Sequence, residues 1–267
     1  MPPTESSNLS PRQREVLDIA RARGTVMVES LAQRFDVTSQ TIRRDLNQLC
    51  RLRLLQRIHG GAVLTDGGSN LGYAARLRFA VEGKAAIGRR AAALVPNDAS
   101  LIVNIGTTTE QVVRNFSGHV GLTVITNNLN VVNTLLPFQT IEVMTAGGIV
   151  RREDGGIVGD ATVDFIEQFK VDYAVVGTSA IEEDGTFLDY DPREVKVAKA
   201  IIENARSVLL VADGTKFRRS APVRIGHVSQ IDYFVTDVPP PAPFLDVCAR
   251  HDVQVAVAAA DDAGRAA

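Results

Sequence analysis

The chain has 267 residues, 45% of them hydrophobic, which is enough to bury a sizeable core and is typical of one large or two modest domains. No apolar run approaches the roughly 20 residues needed to cross a bilayer, and no leader is visible, so we expect a cytoplasmic protein without a membrane partner. Two isolated cysteines, Cys50 and Cys248, and four scattered histidines argue against a zinc or iron–sulfur site. We expect no metal and no cofactor.

The formal net charge of −2 hides a difference between the two ends of the chain. Residues 1–65 carry ten Arg against six Asp and Glu, a charge of +4, and the remaining residues carry −6. A basic segment attached to an acidic one is typical of a protein that contacts nucleic acid through the basic segment alone.

The first elements in chain order predict a helix-turn-helix. A helix begins at Ser10-Pro11, an N-cap residue followed by Pro at the first helical position, and Val26 and its neighbours predict a short strand. Residues 31–49 hold two short helical patterns separated by Asp36-Val37-Thr38, in which Thr38 is a suitable N-cap for the second helix.

The second helix of this pair has one apolar and one polar face. Its apolar residues recur at spacings of four and three, whereas polar side chains that can read bases in the major groove occupy the opposite face and its flanks. Such a face is also typical of an ordinary solvated helix. We expect this helix and the strand–turn–strand after it, described next, to contact DNA. The expected contacts are Ser39, Gln40, Thr41, Arg43, Arg44, Asn47, Arg57 and His59.

Residues 54–64 predict that strand, a Gly-Gly turn and a second strand, which is how a winged helix-turn-helix ends. The blocks Thr41-Ile42-Arg43-Arg44-Asp45-Leu46 and Arg57-Ile58-His59-Gly60-Gly61-Ala62 resemble the signature of the DeoR family of bacterial repressors. The resemblance implies a winged helix-turn-helix over residues 10–65, a linker over 66–82, and an effector-binding domain over 83–258.

The pattern from Gly83 onward alternates helices with apolar strands, which predicts an α/β domain built on a largely parallel sheet covered on both faces. Seven strands are predicted, namely Leu101–Ile105, Leu122–Thr126, Ile141–Ala146, Asp172–Val176, Val208–Ala212, Tyr233–Thr236 and Gln254–Val257. The resemblance implies a Rossmann-like fold similar to ribose-5-phosphate isomerase.

Residues that follow the strands of an open parallel sheet are the expected ligand contacts. Here they are rich in Gly, Thr, Asn and Lys, which suit a phosphate group, although neither a P-loop nor a dinucleotide fingerprint is present. We expect effector contacts from Gly106, Thr107, Thr108, Thr109, Asn127, Asn128, Gly147, Gly148, Glu194 and Lys216.

Each of these loops also has an ordinary structural interpretation. In that interpretation, the Gly106 loop is an ordinary capped turn, and Asp191-Pro192 with Glu194 is a natural helix start. Residues 151–154 are expected to form a surface charge cluster rather than a ligand contact. Five polar loops on one sheet edge favour a small phosphorylated polyol or sugar as the ligand, namely residues 106–109, 127–128, 147–148, 177–179 and 213–216.

Blocks such as Thr126–Leu135 and Asp154–Ile166 resemble the DeoR-family members that respond to glycerol-3-phosphate. The resemblance implies a repressor of double-stranded operator DNA, a homodimer or homotetramer, whose operator affinity falls when this effector binds. The sequence leaves open whether the regulator also activates genes.

The main alternative is a sugar-phosphate isomerase or deaminase with an appended DNA-binding module. Isomerisation needs an acid and a base beside the substrate, for which Glu194, Asp213 and Lys216 are nominal candidates. Asn104 stands where the family usually has Asp, which argues against carboxylate chemistry at that strand end, and a sensor needs only to bind its ligand.

Overall fold

The computed structural model describes residues 9–23, 25–52, 54–58, 60–64 and 72–258. The chain divides into two compact units, residues 1–79 and 80–267. His59 and residue 65 of the predicted DNA-binding domain, and residues 66–71 of the predicted linker, lie outside the described residues. Two helices occupy part of the segment 66–82. The domain boundaries predicted at residues 65 and 83 stay predictions.

The amino-terminal unit confirms the predicted helix-turn-helix and its wing. Its elements are α1 (Pro11–Arg23), β1 (Thr25–Met27), α2 (Val28–Phe35), α3 (Ser39–Arg51), β2 (Leu55–Ile58), β3 (Gly61–Leu64) and α4 (Tyr73–Arg78). The three strands described in this unit form an antiparallel sheet in the order β1-β3-β2. The predicted third strand at Val26 is therefore present.

Local chemistry sets the turn between α2 and α3. Asp36 ends α2 in the left-handed conformation, with a φ of 49°. The Thr38 hydroxyl caps α3 by accepting a hydrogen bond from the backbone N–H of Thr41 at 3.3 Å. Ile42, Leu46 and Leu49 are fully buried and pack with apolar residues of α1, α2 and the sheet. The apolar stripe therefore fixes α3 with its polar face outward.

The carboxy-terminal unit alternates strands and helices. Its principal elements are α5 (Val81–Ala92), β4 (Ser100–Val103), α6 (Thr107–Val113), β5 (Leu122–Thr126), α7 (Leu129–Leu135), β6 (Ile141–Thr145), β7 (Ile149–Val150), β8 (Ile157–Val158), α8 (Asp160–Ile166), β9 (Val171–Val176), β10 (Ala180–Ile181), β11 (Thr186–Asp189), α9 (Pro192–Glu203), β12 (Ala205–Val211), β13 (Val223–His227), β14 (Tyr233–Thr236), α10 (Ala242–Arg250) and β15 (Gln254–Val257).

Within residues 72–258, the main sheet has seven strands in the order β15-β14-β12-β9-β4-β5-β6, all parallel. Each of the seven predicted strands contributes one of them. Leu101 and Val103 of β4 pack into the core on one face, and Ile102 between them packs into the core on the other. The predicted α/β fold is therefore confirmed, with apolar layers on both sides of the sheet.

Two small antiparallel structures were not predicted. β7 pairs with β8 as a short hairpin, and β11 pairs with both β10 and β13. These strands have two to five residues, so they are too short to show a periodic pattern. The pairing of β11 with β13 also joins segments on either side of α9 and β12, which no local signal indicates.

Candidate functional site

The outward face of α3 is polar and accessible. Gln40, Arg43, Arg44 and Asn47 are exposed, and Ser39 and Thr41 are half-buried. A shallow groove of about 280 Å³ lies at the start of the helix, lined by Thr38, Gln40, Thr41 and Arg44. Arg57 is exposed on β2. The predicted contacts on α3 thus share one surface, at the end of the helix that a recognition helix presents to bases.

A polar network that was not predicted from the sequence joins α1 to α3. Asp45 of α3 is buried, and its carboxylate accepts hydrogen bonds from Arg12 Nε at 2.6 Å and from Gln13 Nε2 at 3.1 Å. Gln13 Nε2 also donates to Gln48 Oε1 at 2.9 Å. A charged residue between the apolar positions Ile42 and Leu46 was the available signal, because a buried carboxylate needs a partner.

The five polar loops of the carboxy-terminal unit lie at one edge of the main sheet. Each follows a strand of a parallel sheet, namely β4, β5, β6, β9 and β12, so their carboxyl ends point the same way. The strand order reverses between β4 and β9, which is where ligands bind in open α/β sheets. A Cβ atom on Gly177 would lie 3.6 Å from the Thr109 methyl group, so the loops at that point touch.

The threonines that open α6 have different roles. The Thr109 hydroxyl lies 2.8 Å from the carbonyl oxygens of both Asn104 and Gly106 and is therefore used within the loop. Thr107 and Thr108 are each 6% exposed, and neither hydroxyl has a hydrogen-bond partner among the described residues. These two hydroxyls are available to a ligand, whereas the hydroxyl of Thr109 holds the turn.

The two asparagines after β5 also differ. Asn127 Nδ2 donates to the Ile157 carbonyl oxygen at 3.1 Å, but its buried Oδ1 has no partner within the described part of the chain. The Asn128 side chain donates to Glu110 at 3.1 Å and accepts from the Asn130 N–H at 2.9 Å. Asn128 is therefore engaged at both ends in positioning α6 against α7, and Asn127 retains an open acceptor.

The glycines after β6 permit close packing against α8. Gly148 has a φ of +146°, and a Cβ atom there would lie 2.3 Å from Thr162 Oγ1. The Thr162 hydroxyl donates to the Gly147 carbonyl oxygen at 2.9 Å. A side chain at position 148 would therefore push the start of α8 away from the sheet edge.

A buried acid–base cluster follows β12. Asp213 is 1% exposed, and its Oδ2 has no hydrogen-bond partner among the described residues. Burial opposes ionisation of Asp213, but the charge of Lys216, a hydrogen bond from Thr215 and the charge of Lys84 outweigh it and hold its pKa below the usual range. Lys84 was missed, although it shares an apolar face of α5 with Ile87 and Ala91.

The prediction that residues 151–154 form a surface charge cluster is wrong for two of the four. Asp154 is 4% exposed and the Arg151 side chain 11%. Arg151 Nη1 lies 2.6 Å from Glu194 Oε2 and 3.3 Å from Asp191 Oδ2, and Arg151 also pairs with Asp154. The guanidinium thus ties the segment between β7 and β8 to the start of α9.

This ion-pair network shifts the pKa values of Arg151 and Asp191. Burial alone would lower the pKa of Arg151, but Glu194 and Asp154 outweigh it and raise the pKa. Hydrogen bonds from Arg193, opposed by partial burial and assisted by Arg151, lower the pKa of Asp191 to about 2. Glu194, a predicted effector contact, is therefore already committed through one oxygen to Arg151.

Two other kinds of feature are absent from the described residues. Among them, no helix is both long and apolar enough to cross a membrane. The same residues contain no group of three or more His, Cys, Asp or Glu side chains arranged to hold a metal ion.

Comparison with known protein families assigns both units. Residues 12–67 match the DeoR-like helix-turn-helix domain, and residues 80–238 match the DeoR C terminal sensor domain. The chain belongs to the DeoR family. This DeoR-family chain is 42% identical, over 91% of its own length and 97% of the other's, to the glycerol-3-phosphate regulon repressor of Escherichia coli.

A protein of the same name from Haemophilus influenzae is 45% identical to it, over 85% of this chain and 89% of that one. These names and the helix-turn-helix domain identify the DeoR-family chain as a DNA-binding transcriptional repressor and not an enzyme.

Comparison with solved structures gives matches over part of the chain. Ribose 5-phosphate isomerase from Plasmodium falciparum matches 50% of this DeoR-family chain and 52% of its own, with a TM-score of 0.38 and 11% identity. The eIF2B beta subunit from Chaetomium thermophilum matches 64% of this chain and 54% of its own, with a TM-score of 0.46 and 15% identity.

Proposed function

We propose that the sensor domain of this DeoR-family repressor binds glycerol-3-phosphate and that binding lowers its affinity for double-stranded operator DNA. Relatives at 42% and 45% identity are named for the glycerol-3-phosphate regulon. One structural observation carries the proposal: the hydroxyls of Thr107 and Thr108 are nearly buried at the sheet edge, and neither has a partner among the described residues.

The chemistry of the edge suits a short phosphorylated polyol. In the proposed complex the phosphate accepts hydrogen bonds from the hydroxyls of Thr107 and Thr108 and from backbone N–H groups of that loop, and Lys216 supplies positive charge. Asn127 Oδ1, which is buried without a partner among the described residues, accepts a hydrogen bond from a ligand hydroxyl. The glycines at 106, 147 and 148 let the backbone approach the ligand.

The DNA-binding half of the proposal rests on the exposed face of α3. In it, Gln40, Arg43, Arg44 and Asn47 contact base edges in the major groove. The protein acts as a symmetric homodimer or homotetramer, because a two-fold arrangement lets two such helices reach half-sites one helical turn apart.

The effector changes DNA binding only through a difference in affinity between two states of the protein. Moving the population from 1:99 to 99:1 requires about 10⁴-fold tighter binding to the released state, or about 5.5 kcal/mol. Charge-assisted hydrogen bonds to a phosphate are strong enough to supply that difference when several form together.

The proposal can be tested with a DNA duplex selected by the full-length protein from a random-sequence pool. Glycerol-3-phosphate should release the protein from this duplex, whereas glycerol should not, because it lacks the anion. Release by glycerol at the same concentrations, or only by a hexose phosphate, would show that the effector assignment is wrong.

Variants can separate effector binding from DNA binding. Thr107→Ala and Thr108→Val should weaken glycerol-3-phosphate binding and leave affinity for the selected duplex unchanged, which produces a repressor that no longer releases DNA. Thr123→Val is a matched control, since it removes a hydroxyl near the amino end of β5, at the opposite edge of the sheet. Equal loss of effector binding in the control would contradict the proposed site.

A further inference from the structure

The start of α1 is joined to α3 by a continuous set of polar contacts. Ser10 and Gln13 cap each other: the Gln13 N–H donates to Ser10 Oγ at 3.2 Å, and Ser10 N–H donates to Gln13 Oε1 at 3.1 Å. The same Gln13 side chain, 4% exposed, then donates to Asp45 and Gln48 on α3. The first turn of α1 is therefore fixed against the side of α3.

Arg12 occupies the outer edge of this network. Its Nε donates to Asp45 Oδ2 at 2.6 Å, and its side chain remains 35% exposed. The two terminal nitrogens, Nη1 and Nη2, have no partner among the residues that the structure describes. A guanidinium that uses only Nε keeps the N–H groups of Nη1 and Nη2 available, and the two N–H groups that lie side by side at its far end can bind a phosphate bidentately.

The position of Asp45 on α3 indicates what these N–H groups face. Successive residues of a helix lie about 100° apart, so Asp45 stands between the outward Arg44 and the buried Leu46. A helix of about 10–12 Å diameter nearly fills a major groove about 12 Å wide, so groups on its flank meet the sugar-phosphate backbone. Asp45 by itself would repel that backbone, and Arg12 reverses the sign of the charge presented there.

We propose that Arg12, oriented by Asp45, contacts a backbone phosphate beside the recognition helix, so that α1 and α3 dock on DNA as one unit. The proposal rests on the DNA-reading face of α3 proposed above. Gln13 and Asp45 are positioning residues in this arrangement, and Arg12 is the residue that touches the phosphate. Contacts of this kind fix the register of a protein on DNA without reading sequence.

The salt dependence of binding provides the first test. With the full-length protein and the selected duplex, Arg12→Ala should weaken binding about tenfold, and the slope of log K against log salt should become shallower by about 0.9 for each phosphate that is no longer neutralised. Arg14→Ala is the matched control, because Arg14 is an exposed arginine on α1 that points about 200° away from Arg12. An equal change of slope in both variants would overturn the proposal.

Neutral methylphosphonate linkages, placed one at a time in the selected duplex, provide the second test. One linkage per half-site should weaken binding of the parent protein but have no effect on the Arg12→Ala variant, because its partner is already missing. If every linkage has the same effect on both proteins, Arg12 has only a structural role and the proposal fails. Arg12→Lys, which keeps the charge, should retain most of the salt slope.

Substitution of Asp45 distinguishes a positioning role from a simple effect of charge on DNA binding. Asp45→Asn makes the protein more positive, so simple attraction predicts tighter DNA binding, whereas loss of the orienting carboxylate predicts weaker binding. Tighter binding would overturn the positioning role. Arg44→Ala distinguishes the two proposals: if it weakens binding to the selected duplex while Arg12→Ala does not, the DNA-reading face stands and only the phosphate contact fails.

Discussion

The polar residues of the two units differ most in their exposure. On the outward face of α3, Arg43, Arg44 and Asn47 are exposed. At the edge of the main sheet, Thr108 and Asp213 are buried almost completely. A duplex is a large, hydrated polyanion that a protein meets with its surface, whereas a small anion is bound tightly only where water is removed from it. The difference in exposure therefore matches the different sizes of the two ligands proposed above.

The exposed face of α3 is supported by the small apolar core of the helix-turn-helix unit. We expect the largest effect from a substitution in that core. Leu46→Ala should reduce the stability of the helix-turn-helix unit by about 3–5 kcal/mol, because Leu46 is fully buried in the apolar core of this unit and its loss leaves a cavity there. Hydrogen exchange at α3 amides would measure the change. Leu52→Ala, at a residue 39% exposed, should cost less than about 0.5 kcal/mol.

This variant also tests whether the two units function separately. Glycerol-3-phosphate binding should survive in the Leu46→Ala protein while DNA binding is lost. Loss of both would contradict the division of labour between the units.

Removal of charge from the buried site should have the next largest effect. Lys216→Met should weaken effector binding by about 1.5–3 kcal/mol, because a charge-assisted contact disappears, and should raise the pKa of Asp213, which loses the main charge opposing its burial. Isothermal calorimetry would measure the affinity. Lys196→Met, at an exposed ion pair with Asp160, should change it little. Comparable losses in both variants would show that general charge, rather than the enclosed site, controls binding.

Substitution on the exposed face should discriminate between DNA sequences. Arg44→Ala should cost about 1 to 3 kcal/mol on the selected duplex and less on random DNA if Arg44 reads a base. Fluorescence anisotropy with both duplexes would measure the difference. Equal loss on both would make Arg44 a phosphate contact, and full affinity in the Arg43→Ala/Arg44→Ala protein would exclude α3 as the reading helix.

The smallest effect concerns acid stability of the sensor unit. Asp191 has a folded pKa of about 2, below the value of about 3.9 expected when unfolded. The stabilisation of the fold by ionised Asp191 is therefore complete above the unfolded pKa and is lost as the pH falls towards 2. The free energy of unfolding, measured with urea, should fall between about pH 5 and about pH 3. In Asp191→Asn this fall should be smaller than in the parent protein, by less than about 1 kcal/mol. Asp246→Asn, at an exposed residue of α10, should leave the difference unchanged.

The elements that the sequence predicted correctly are those with a local pattern. The stripe of Ile42, Leu46 and Leu49 identifies the inner face of α3, and each of the seven sheet strands is a short segment made mostly of apolar residues. Both signals arise because burial is periodic in a helix and continuous in a covered parallel strand. The loops after those strands could then be placed on one edge by topology alone.

The partners of buried polar residues could not be predicted in this way. Arg12 meets Asp45 across 33 positions of the chain, and Arg151 meets Glu194 across 43. Nothing in the local sequence around Arg151 distinguishes a buried cation from an exposed one, which is why the sequence predicts a surface position for residues 151–154. The carboxylate at position 45 and the amine at position 84 did carry a signal, since each interrupts an apolar helix face.

The order of strands in the main sheet has a consequence for how the protein folds. β4 lies between β5 and β9, and Ser100 at its start donates hydrogen bonds to Asp172 in β9, 72 residues further along the chain. The centre of the sheet therefore cannot close until the ribosome has delivered β9, by which time the helix-turn-helix is already complete. Pairing of such distant strands requires a long loop to close, and the entropy lost in closing it is offset only after the strands have paired. The sensor unit should therefore be the slower of the two to fold during synthesis.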